Sequence, residues 1–205
     1  MKLTKYIGEQ FGNPTGIGGK LSTFIMNRMN QKQYRAVMRA IDIRPDETVL
    51  DIGFGNGYLI GKLAKSAADS SFRGIDISDD MLRGATKRNR KFVDQGKMQL
   101  QTGDVCKMTY ADSTFDKVYT VNTIYFWQDI DAALTEIRRT LKPNGIFINA
   151  MYTREFLNSL RYTDYGFTKL TEPEFREAVT RNGFKIKETT EIKKNVSNCY
   201  VLEKQ

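Results

Sequence analysis

The sequence predicts an α/β protein, with seven strands in a mostly parallel sheet, helices on both faces, an antiparallel hairpin at the C-terminal edge and a helical segment ahead of the core. Three observations carry this. An apolar run breaks into alternating glycines in Val49-Leu-Asp-Ile-Gly-Phe-Gly-Asn-Gly57. Strand-like and helix-like segments then alternate as far as Tyr152. Two strand-like segments close the chain with no helix between them.

The elements follow in order. The run from Val49 reads as a buried strand entering a turn, and Tyr58 to Ala67 as the helix after it. Phe72 to Ile77 is a strand. Asp79 to Phe92 reads as one helix, with Ser78 as N-cap and Asp79 and Asp80 in the first turn, where acids favour the helix dipole. Strands follow at Met98 to Thr102 and Phe115 to Val121, then a helix from Ile130 to Leu141. The Lys-Pro-Asn-Gly turn leads into a strand from Ile146 to Tyr152. Glu172 to Asn182 is helical and closed by Gly183. Lys185 to Ile192 and Cys199 to Glu203 form the hairpin.

Glycines at 53, 55 and 57 permit positive φ and close approach of a ligand to the backbone. A phosphate-cradling loop needs Gly-x-x-x-x-Gly-Lys-Ser/Thr, and no such lysine follows Gly57. The dinucleotide fingerprint needs a glycine at its sixth position, and here Tyr58 or Ile60 stands there. What remains is Asp51-x-Gly-x-Gly-x-Gly57, which resembles motif I of the class I S-adenosylmethionine-dependent methyltransferases. The resemblance implies a Rossmann-like fold over roughly residues 40 to 205. It divides the chain into an N-terminal lid with substrate-side helices, 1–40, and a methyltransferase domain, 41–205, folded as one unit with that lid.

Asp76 ends the second strand about twenty residues beyond the turn, the separation at which an acid meets ribose hydroxyls. A carboxylate suits that task because it accepts two hydrogen bonds. The resemblance implies S-adenosyl-L-methionine as cofactor and S-adenosyl-L-homocysteine as product. Its contacts would come from Asp51 toward the methionine ammonium, Gly53, Phe54, Gly55, Asn56 and Gly57 at the turn, Asp76 at the ribose with Ile77 next in sequence, and Met81, Gly103, Asp104 and Val105 around the adenine. Asn122, ending the fourth strand, completes the set. On spacing alone a methionine such as Met81 within a helix is more often core. Cys106, with no histidine to activate it, reads as a small apolar contact.

Asn122-Thr-Ile-Tyr-Phe-Trp127 lies where this fold puts substrate against the methyl group. It lacks the two prolines of the Asn/Asp-Pro-Pro-Tyr arrangement of base-amine methyltransferases, and is closer to the small-molecule and ubiquinone/menaquinone branch. That branch often carries histidines here, and this chain has none anywhere, which excludes an imidazole base. Tyr125, or an Asp from elsewhere in the pocket, is the candidate proton acceptor. Tyr125, Phe126 and Trp127, with Tyr162 and Tyr165 from the segment after the fifth strand, are the candidate substrate wall, with core packing as the competing role of the first three.

Composition bounds the rest. A chain of 205 residues with 40% hydrophobic content can bury one sizeable core. No apolar run spans a bilayer and the first residues lead into no signal core, so a soluble cytoplasmic protein without membrane contact is expected. Two cysteines give neither a metal-ligand pattern nor a disulfide framework. The net charge of +8 gathers in the first 44 residues and in Arg83, Lys87, Arg88, Arg90 and Lys91. Charge alone says solvated surface or weak anion attraction. The favoured partner is a small-molecule acceptor. A nucleic-acid or protein methyltransferase using the basic surface, and a non-catalytic cofactor-binding protein, stay open, and the glycine-rich Phe11 to Lys20 reads as a lid hinge or, less well, a phosphate loop.

Overall fold

A computed structural model describes residues 30–205. The elements begin with α1 (Gln31–Ala40), then β1 (Thr48–Ile52), α2 (Tyr58–Ser66), β2 (Ser71–Asp76), α3 (Asp79–Arg88), α4 (Arg90–Asp94), β3 (Met98–Thr102) and β4 (Phe115–Val121). There follow α5 (Ile130–Thr140), β5 (Leu141–Tyr152), α6 (Arg154–Asn158), α7 (Glu172–Arg181), β6 (Phe184–Lys193) and β7 (Ser197–Lys204). The expected lid residues and the hinge at Phe11 to Lys20 lie outside the described residues.

The seven strands form one sheet in the order β3-β2-β1-β4-β5-β7-β6. β1 to β5 pair in parallel, and β7 returns antiparallel between β5 and β6. The seven-stranded, mostly parallel sheet with its antiparallel C-terminal hairpin is as the sequence predicts. Side chains alternate across each central strand because the pleat has period two. Leu50, Val118 and Phe147 face a core closed by α5 and α7, and Val49, Tyr119 and Ile148 face one closed by α1 and α2. Both faces are covered, so the central strands are largely buried on each side, polar Asp51, Thr120 and Asn149 included. Because β1 lies between β2 and β4, connections leave it in opposite directions, and a crevice opens at the carboxyl ends of the strands there.

Most boundaries fall within a residue or two of the reading, and two elements differ by more. The helix expected from Asp79 to Phe92 is two helices, broken at Asn89, whose side chain donates to Gly57 O at 2.9 Å and Ala85 O at 3.1 Å. β5 starts early, since Leu141 pairs with Phe115 and Ile146 with Lys117, which leaves the intervening turn bulged, with Asn144 at φ 64°. α1 packs its buried face, Gln33 and Val37, onto the sheet, so the first described helix is part of the core.

Candidate functional site

The crevice is a cleft of about 150 Å³ at the ends of β1, β2, β3 and β4. Its floor is the turn after β1. Gly53 and Gly55 adopt φ of 73° and 53°, a region where a side chain is strained. A Cβ on Gly53 would collide with Thr123, whereas one on Gly55 would project into open space. The open face at Gly55 is where a ligand can lie against bare backbone.

Gly57, expected to contact the cofactor, does not line the cleft. Its φ of 72° starts α2, and a Cβ there would come within 2.8 Å of Ala85 Cβ and 2.5 Å of Asn89 Nδ2. Its role is close packing of α2 against α3.

Two acids sit on either side of the turn. Asp76 accepts from Gly55 N–H at 2.8 Å and from Ser78 N–H at 3.0 Å, and burial raises its pKa against those bonds. The acid thereby closes the loop that it borders. Asp51 is buried, with Tyr119 Oη donating to it at 2.6 Å. Burial pushes its pKa up to about 8, the Tyr119 hydrogen bond pulling the other way and the charge of Asp76 adding to the rise. The carboxyl is mostly neutral at pH 7. A cation arriving beside it would supply the missing counter-charge.

The remaining expected positions gather around the same space. Phe54, Asn56, Ile77, Met81, Gly103, Asp104, Val105 and Asn122 all line the cleft. Ile77 is 55% exposed, an apolar side chain left open beside Asp76. Met81 both packs on Phe54 and Ala85 and reaches the cleft, so core and lining are one role here. Asp104 caps a short 3-10 turn by accepting from Cys106 N–H at 2.9 Å. Lining residues that sequence reasoning missed are Asn30, Tyr34, Ile52, Leu59, Ile75, Val121, Thr123 and Gln128. Asn30 and Tyr34 carry no motif; only the packing of α1 brings them in.

A smaller cavity of about 40 Å³ adjoins the cleft and shares Asn30, Asn122 and Phe126 with it. Tyr125, Tyr152, Leu157, Leu160, Tyr162, Thr163 and Phe167 complete its wall. The rings pack on one another: Tyr125 stacks on Phe167 with centroids 5.8 Å apart, and Phe126 meets Phe167 edge-on at 4.6 Å. Phe126 borders both spaces, Trp127 lines only the cleft, and Tyr165 lines neither.

Tyr125 is placed differently from a proton acceptor. Its hydroxyl accepts from Tyr152 N–H and donates to Asn122 Oδ1 at 3.1 Å, and burial holds its pKa well above the usual phenol value. A phenol that keeps its proton is no base at neutral pH. It positions Asn122, which sits in the left-handed region at φ 58° and donates from Nδ2 to Asn30 Oδ1 at 2.9 Å.

A family model described as "Methyltransferase domain" matches residues 50–149, the stretch from β1 to the middle of β5 that builds the cleft. The uncharacterized methyltransferase YdaC of Bacillus subtilis is 30% identical over 135 residues, covering 66% of this chain and 72% of that protein. The chain belongs to the class I S-adenosylmethionine-dependent methyltransferases. A demethylmenaquinone methyltransferase of Symbiobacterium thermophilum is 28% identical over 171 residues, 82% of this chain and 68% of that one. A putative methyltransferase solved in complex with the Haloferax volcanii Trm112 activator shares the fold with a TM-score of 0.78 at 21% identity, covering 89% of this chain and 92% of its own.

The residues present fit the cofactor of this family. The methyltransferase cleft offers an open backbone face at Gly55, a carboxyl pair at Asp51 and Asp76, and an apolar slot between Ile77, Met81 and Val105. Bound S-adenosylmethionine supplies a methyl group on a positively charged sulfur, an electrophile that needs a close, aligned and desolvated nucleophile. Among the described residues no helix is long and apolar enough to cross a membrane.

Proposed function

We propose that this methyltransferase modifies a small molecule held in the aromatic cavity beside the cofactor cleft. The observation that carries the reading is the character of that cavity: five aromatic rings, two leucines, two asparagines and a threonine, with no charged side chain among its described lining residues. A nucleic-acid strand needs lysine or arginine at its phosphates, and neither cavity wall offers one among the described residues. The name of the demethylmenaquinone relative points the same way, since its acceptor is also small.

In this reading Asp76 holds the ribose hydroxyls, Asp51 faces the ammonium group, and Gly53, Phe54, Gly55 and Asn56 lie against the amino-acid part. Ile77, Met81, Gly103, Asp104 and Val105 enclose the adenine. Asn122 and Phe126, common to both spaces, stand between cofactor and acceptor. Tyr125 acts through Asn122 by fixing its amide, and Tyr162 closes the far wall.

The test is transfer of a labelled methyl group by the full chain into a cell extract separated into small-molecule, RNA, DNA and protein fractions. Label is expected in the small-molecule fraction alone. Label in RNA, DNA or protein, or none in any fraction, would overturn the proposal.

A further inference from the structure

We infer that Arg139 of α5 is a positioning residue for the adenine, holding in shape the turn that carries Asp104 and Val105. The inference rests on the placing of adenine against those two residues and deepens it. It comes from how the chain between β3 and β4 is anchored.

Residues 103–114 leave the sheet after β3, so their backbone groups need partners outside the strand ladder. Upstream, Gly103 N–H donates to Asp76 O on β2 at 2.9 Å. The bond from Cys106 N–H to Asp104 Oδ1 at 2.9 Å lies within the turn and moves with it. Cys106 Sγ reaches Asp129 O at 3.3 Å, but a thiol is a weak donor. The firm downstream anchor is Met108.

Met108 is held from both sides by one ion pair. Its N–H donates to Glu136 Oε2 at 2.7 Å, and its carbonyl accepts from Arg139 Nη2 at 3.1 Å. The same guanidinium donates from Nη1 to Tyr110 O and to Asp112 Oδ1, each at 2.7 Å. Glu136 and Arg139 lie three apart on α5 and meet in a fork, Nε to Oε1 at 2.7 Å and Nη2 to Oε2 at 2.8 Å. Their side chains are only 18% and 28% exposed, so salt screens the pair less than a surface one. α5 is itself rooted in the core through Leu134 and Ile137. The pair therefore ties a loop to a rigid helix.

Arginine suits this task because its planar fork of donors serves two carbonyls and two carboxylates at once, which the single ammonium of lysine does not. Val105 and Met108 are both buried, in one cluster with Ile137, so a displaced Met108 drags the turn three residues before it. The base would register that shift. An adenine amine donates to a carboxylate, whereas a base with a carbonyl oxygen at that place sets acceptor against acceptor. Discrimination between the two bases thus reports where the Asp104 carboxylate lies.

The experiment is calorimetry of the full chain with S-adenosylhomocysteine and with S-inosylhomocysteine, in which a carbonyl oxygen replaces the adenine amine. The parent is expected to favour the adenosyl ligand by at least about tenfold, the worth of one hydrogen bond to a charged group. Arg139→Ala should bring that preference below about threefold, and Arg139→Lys should leave it in between. A merely structural role would not move this ratio, because a smaller folded fraction lowers the number of sites for both ligands alike. Should Arg139→Ala fail to fold, Arg139→Lys decides. Folded variants that keep the parent's preference would overturn the inference and leave the adenine placement standing. A parent that binds both ligands alike would overturn that placement, and the inference with it.

Discussion

At the residue scale the two strand-end acids differ in what they already have. Asp76 accepts two backbone N–H bonds, whereas Asp51 has, among the described residues, Tyr119 alone as a bonding partner and a pKa of about 8. A native pKa raised above the ordinary value of 3.8 means that the folded protein retains a proton that the unfolded chain releases. That term therefore weakens the apoprotein progressively as pH rises from about 4 to about 8. For a cationic ligand the sign reverses: affinity should climb by up to about tenfold per pH unit between pH 6 and 7.5, as Asp51 ionises. Isothermal calorimetry of S-adenosylmethionine across that range checks it. A flat affinity, or an Asp51→Asn variant with the same slope as the parent, would sink it. Asp76→Ala should weaken cofactor binding by roughly 10- to 100-fold, because a charged acceptor is lost and two N–H groups are left unpaired. Unchanged calorimetric affinity would contradict the ribose assignment.

At the element scale, the contact between α2 and α3 rests on a notch that the fingerprint hides. Gly57 and Gly61 lie four residues apart on one side of the helix start, and Asn89 fills the space that both leave, bonded to Gly57 O and Ala85 O. Alanine usually stabilises a helix over glycine by about 1 kcal/mol. Here Gly61→Ala should reverse that sign and cost about 1–3 kcal/mol, since a methyl group would displace a buried, doubly bonded amide. Thermal unfolding decides, and a raised Tm would show that the notch yields easily. Asn89 was not legible because its meaning depends on two glycines about thirty residues away. The same distance effect hid the break between α3 and α4. Ser78, by contrast, accepts from Met81 N–H as the sequence suggests, because a cap is a local event.

Over the whole molecule, charge and site have opposite signs. The chain carries +8, yet the described walls of both cavities hold three acids and no lysine or arginine. The basic side chains of α3 and α4 are partly spent on neighbours, Arg83 on Asp80 and Arg90 on Asp94, and these exposed pairs contribute little to stability. Attraction to polyanions should therefore be non-specific. Anisotropy with a labelled RNA duplex should show binding that falls steeply with salt and that saturating S-adenosylmethionine does not alter. Salt-resistant binding that competes with the cofactor would instead place nucleic acid in the cleft.

The strand order and the glycine turn could be read from the sequence because apolar period, glycine spacing and strand-end acids are short-range signals. So could the cofactor class, since Asp51, Gly55 and Asp76 report a ligand through their own chemistry. Gly57 packs against Ala85 and Asn89 and is not among the residues lining the cleft, because positive φ and close packing use the same residue type for different ends. The aromatic cavity was only half legible: Tyr125, Phe126 and Tyr162 line it, while Asn30, Tyr152 and Phe167 arrive from three distant segments. Sequence by itself determined a parallel sheet with a nucleoside-binding turn at its centre. Tertiary structure decided which side chains meet beyond β4 and β5, and whether each would be charged, because burial and hydrogen-bond partners are properties of the assembled site and of no residue alone.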